Sequence, residues 1–75
     1  MSTFNIMIPS AEAVDDFCAR AAAMPFDLNL GAGTRVVDAK SILGVLYLGV
    51  GKILRLTVPT DHASEVHRHL HEFLV

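Results

Sequence analysis

A chain of 75 residues, 52% apolar and only 19% charged, has too much to bury for a disordered segment and enough for one small core. A formal net charge of −2 without a cluster of Lys or Arg argues against nucleic acid or an anionic membrane surface as the main partner. Cys18 is the single cysteine, so there is no internal disulfide and no four-cysteine metal site, and a reducing compartment fits best. The start Met-Ser-Thr-Phe-Asn lacks the basic region and apolar block of a signal peptide, and no apolar run is long enough to span a bilayer. The expectation is a cytoplasmic chain folded as a single domain over residues 1–75.

Strand-like and helix-like signals then alternate. Thr3 to Ile8 puts Phe4, Ile6 and Ile8 on one side, a strand with one buried face that Pro9 ends. Ser10 is expected to cap a helix with Glu12 in its first turn, on which Ala11, Val14, Phe17, Cys18 and Ala21 share a face, and Pro25 stops it. Phe26 to Leu30 alternates again, Gly31-Ala32-Gly33 reads as a turn, and Arg35 to Ala39 returns with Val37 and Ala39 inward. Lys52 to Val58 is a further strand with Leu54, Leu56 and Val58 on one face, closed by Pro59. Thr60 to Val75 predicts an amphipathic helix capped by Thr60 or Asp61. Its buried stripe is Ala63, Val66, Leu70, Phe73 and Leu74, and Arg68 pairs with Glu72 on the wet side.

Between the third and fourth strands lies the most informative stretch, Asp38 to Gly51, D-A-K-S-I-L-G-V-L-Y-L-G-V-G. Ser41 stands where a helix N-cap belongs and Gly49 where a chain leaves one, so Ile42 to Leu48 is a short helix. Its apolar side chains reach most of the way round the axis, more than one core face covers. The order is β-α-β-β-α-β-α, a two-layer α+β domain.

The stretch V-D-A-K-S-I-L-G-V-L-Y-L-G-V resembles the second-helix region of HPr, the histidine-containing phosphocarrier of the sugar phosphotransferase system, in its Gram-positive form. There the pattern runs K-S-I-M-G-V-M-x-L-G, and Ser41 falls on the regulatory serine. The resemblance implies an open-faced β-sandwich, a four-stranded antiparallel sheet covered on one side by three helices. It also implies a non-enzymatic protein of the cytoplasm that needs no cofactor and works through protein partners, such as a serine kinase or a transcriptional regulator of that pathway. By the same resemblance Ile42, Leu43, Leu46 and Tyr47 make the docking patch, while Val45 and Leu48 belong to the core. A homodimer contact is the competing use of that surface.

The departure is at the carrier site. The family's phosphoryl group rides on the histidine of a G-I/L-H-A-R-P motif, beside an arginine. Here the region reads Ile8-Pro9-Ser10-Ala11-Glu12, so Ser10 replaces the histidine and Glu12 the arginine. A serine hydroxyl without an activating base is a poor acceptor, and a carboxylate repels a phosphoryl dianion. The expected function is therefore a regulatory interaction module working through the Ser41 helix, with phosphorylation of Ser41 weighed evenly against a plain cap. The alternative is a phosphotransfer intermediate using Ser10 or His62. His67 and His71 sit one turn apart, but two histidines without a third ligand are more simply solvated residues near a helix end, so no metal is expected. Cys18 reads as packing, and Asp15 and Asp16 point apart and form no catalytic pair.

Overall fold

The computed structural model describes all residues from Met1 to Val75. Four strands, β1 (Ser2–Met7), β2 (Asn29–Ala32), β3 (Arg35–Asp38) and β4 (Ile53–Val58), form one sheet in the order β1-β4-β2-β3, every neighbouring pair antiparallel. Three α-helices, α1 (Glu12–Ala22), α2 (Ile42–Leu48) and α3 (Ala63–Leu70), supply the second layer. Ile6, Leu30, Leu54, Leu56 and Val58 from the sheet meet Val14, Phe17, Val45, Leu48, Val66 and Leu70 from the helices in one apolar core. No polar or charged residue is buried in it. The other sheet face carries Asn5, Arg55, Gly31 and Val36 in one cross-strand row and has no helix over it, which is the α+β open-faced arrangement expected.

The main differences from the expectation have physical reasons. Strand β2 begins at Asn29 and runs through Gly31 and Ala32, so the hairpin turns at Gly33-Thr34. Gly33 supplies the positive φ of 61° that so tight a connection needs. Gly31 is a strand residue, paired with Val36 on one side and Arg55 on the other, and the Arg55 side chain lies across it: a β-carbon there would stand 3.2 Å from the guanidinium, which donates to the Gly33 carbonyl at 2.9 Å. Phe26, expected at the strand's start, is instead stacked face to face on His62, with ring centroids 4.1 Å apart.

Ser10 does not cap α1 through its side chain, and Ala11 is exposed. The first turn is closed by backbone, Ala13 N–H to the Ser10 carbonyl and Val14 N–H to that of Ala11, so the donor three residues on, which a Ser10 cap would take, is already used. The last segment is not one helix. A 3₁₀ turn at Thr60–His62 without a side-chain cap leads into α3, and a second follows at His71–Phe73. The helix stops because Leu74 bridges to Ile6 and the Val75 N–H donates to the Asn5 carbonyl at 3.0 Å, so the end of the chain runs along the outer edge of β1. Glu72 then faces α1 rather than Arg68: it accepts from Arg20 at 2.9 Å, while Arg20 also holds Asp16 and lies over the Phe73 ring.

Candidate functional site

Helix α2 is set by the turn that enters it. The Asp38 carboxylate accepts the Lys40 N–H at 2.9 Å and the Asp38 carbonyl accepts the Ser41 N–H at 3.0 Å, which reverses the chain after β3. Lys40 reaches back to the Met24 carbonyl at 2.7 Å and ties this turn to the end of α1. Ser41, in extended conformation, then accepts the Gly44 N–H on its Oγ at 3.1 Å, an N-cap as the sequence predicts. Gly49 ends the helix with φ 104°. Gly44 is small because a β-carbon there would lie 3.1 Å from Cβ of Val37 and 3.2 Å from Ser41 Oγ. The missing side chain lets α2 settle onto β3.

That seat decides which α2 side chains face water. Val45 and Leu48 are buried, as the resemblance implies, whereas Leu43 is 80% exposed, Tyr47 66%, Ile42 44% and Leu46 43%. Four large apolar side chains on two turns are thus left partly or largely in water. The Arg35 guanidinium sits 5.2 Å from the Tyr47 ring centroid, a cation–π contact that holds the ring at the surface. Sequence reading missed Arg35 because it belongs to another element; its place at the start of β3, the strand under α2, was the available signal.

The remaining candidates lie elsewhere. Ser10 is half-buried just ahead of α1, Glu12 is exposed in its first turn, and no cationic side chain pairs with either. The loop after α2 abuts this point through the Gly51 N–H, which donates to the Ile8 carbonyl at 2.8 Å. His62 is not part of that neighbourhood. It follows the β4 end at Val58, which pairs with Ser2, whereas Ser10 follows the β1 end at Met7, which pairs with Ile53. The length of β1, roughly 17 Å at about 3.4 Å per residue, separates the two. His62 is occupied with Phe26 and with Glu65, 3.5 Å away. Cys18 is buried, and that burial, with Asp15 and Asp38 adding to it, raises its thiol pKa. It is packing, not a nucleophile. No helix is long and apolar enough to cross a membrane.

No protein-family model matches the sequence, and no curated protein does. Solved structures do. HPr-C-His from Thermoanaerobacter tengcongensis superposes with a TM-score of 0.80 at 25% identity, covering 96% of this chain and 89% of that one. The histidine-containing phosphocarrier protein of Mycoplasma gives 0.76 at 13% identity over 95% of this chain and 89% of its own. The phosphocarrier protein HPr from Bacillus anthracis str. Ames gives 0.75 at 19% identity over 96% and 95%. The fold is HPr-like, the one these phosphocarrier proteins share.

Proposed function

We propose that this HPr-like chain is a regulatory interaction module related to the sugar phosphotransferase system, docking protein partners through α2 and no longer carrying phosphate on a histidine. The observation that supports it most is the exposure of Ile42, Leu43, Leu46 and Tyr47 on a helix whose first residue is preceded by a capping serine. An apolar surface of that size on so small a chain is kept for a partner. Ser41 stands at its edge, so a phosphate there adds about −1.5 to −2 charges beside the apolar contacts, at a helix end whose dipole and free N–H groups accept them. The modification thereby changes what binds without unfolding the helix.

Carrier chemistry is disfavoured at the start of α1. The resemblance puts Ser10 in the histidine's place and Glu12 in the arginine's, and neither has a cation beside it to neutralise a phosphoryl group. His62, the other conceivable acceptor, is at the far end of β1 and stacked on Phe26.

The test uses ATP and the HPr serine kinase, comparing wild type with Ser41→Ala and Leu43→Asp. Wild type is expected to be labelled, Ser41→Ala to stay unlabelled, and Leu43→Asp to be labelled more slowly because docking is impaired. Equal labelling of all three would remove both Ser41 and the patch from the account.

A further inference from the structure

We propose that His67 and His71 together chelate one borderline divalent cation, Cu²⁺, Ni²⁺ or Zn²⁺, at the C-terminal turn of α3. The two exposed imidazoles stand one turn apart, with ring centroids 6.1 Å from each other and planes inclined by 49°. Spacing alone makes such a pair unremarkable. What the structure adds is that neither ring enters an ion pair or a side-chain hydrogen bond. His62, by contrast, is stacked on Phe26 and paired with Glu65, and His69 is half-buried. The nitrogens of His67 and His71 are therefore free to bind.

A rotamer adjustment at the surface brings one nitrogen of each ring to about 2.0–2.1 Å from a shared ion. The rest of the coordination shell is water, which reaches both side chains because both are exposed. The donor set decides the metal. No third His, Cys, Asp or Glu converges on the pair, so there are no oxygen ligands to favour Mg²⁺ or Ca²⁺, and imidazole nitrogen selects the later transition metals. Two protein ligands make an open, exchangeable site rather than a structural one. Because His67 lies in α3 and His71 begins the following 3₁₀ turn, a bound ion braces the junction that delivers Phe73 to the core.

The test is calorimetric titration of the whole chain with each of the three ions alone, alongside His67→Ala, His71→Ala and His69→Ala. One ion per wild-type chain is expected for at least one of the metals, with a rise in thermal midpoint. Each of His67→Ala and His71→Ala should weaken binding at least about tenfold, since even a partner that only orients a ligand is worth that much, and His69→Ala should bind as wild type does. Undiminished binding in either single variant, or no saturable binding by wild type up to about a millimolar ion, would overturn the proposal.

Discussion

Replacing Ser41 with alanine removes both the oxygen that accepts the Gly44 N–H and the oxygen a kinase would esterify, so the two roles have to be separated by a second variant. Ser41→Ala is expected to cost about 1 kcal/mol of stability as a lost N-cap, whereas Ser41→Asp, an equally good cap, should unfold at nearly the wild-type denaturant midpoint. If Ser41→Asp then weakens partner binding while its stability holds, the negative charge and not the helix end is what the partner reads. Cys18 makes the opposite kind of prediction. Its thiol pKa is raised by burial first and by Asp15 and Asp38 second, so the fold holds the protonated form. That contribution is complete at neutral pH and is lost as pH rises past about 8.5, where the unfolded thiol begins to ionise. Wild type should lose more of its thermal midpoint between pH 8 and 10 (roughly the span of thiol titration) than Cys18→Ala does, and native Cys18 should react with a thiol reagent only on unfolding. At this scale the sequence was legible where one residue type does one job: Ser41 as a cap, Gly49 as a stop. Ser10 misled, because whether a serine caps depends on whether the backbone has already satisfied the first turn. Arg20 and Glu72 meet across 52 positions, which no local pattern reveals.

Helix α2 divides into a half that folds the protein and a half that does not. Leu48 is 1% exposed and Leu43 80%, so Leu48→Ala is expected to cost about 2–5 kcal/mol and Leu43→Asp no more than about 0.5 kcal/mol, both read from denaturant melts. The reverse order is expected in partner binding, where Leu43→Asp is the damaging change. A large stability loss in Leu43→Asp would mean that the side chain belongs to the core. The contact between α1 and the end of the chain is testable too. Arg20→Ala releases Asp16, Glu72 and the Phe73 ring together, and a lower thermal midpoint is expected, with the gap to wild type narrowing at high salt as screening weakens the wild-type pairs. The elements themselves were legible from two periods, alternation in the strands and three-to-four spacing in the helices. The final segment was overextended because its apolar stripe continues past His71, although Leu74 and Val75 are claimed by the edge of β1. Strand β2 was displaced because Gly31-Ala32-Gly33 has the composition of a turn, whereas Gly31 pairs with Val36 and Arg55 on either side, long-range pairings that no local pattern reveals.

For the whole molecule, the β-α-β-β-α-β-α order, the antiparallel sheet and the composition of the core all agree, which is why the architecture was legible despite identities of only 13–25% to the solved structures with the same fold. Function is less so, because it depends on the few residues at the start of α1 and around α2 where this chain and the phosphocarriers part or meet. The sequence placed Ser41 and the apolar patch together, and the fold leaves that patch uncovered; it also separates His62 from Ser10 by the length of a strand. Both arrangements favour a chain that binds partners over one that passes phosphate along. The most direct test is intact mass after separate incubation with phosphoenolpyruvate plus enzyme I and with ATP plus the serine kinase. The account predicts one added phosphate from ATP, absent in Ser41→Ala, and none from phosphoenolpyruvate. Labelling from phosphoenolpyruvate would contradict it and restore a phosphate carrier that works without the usual histidine.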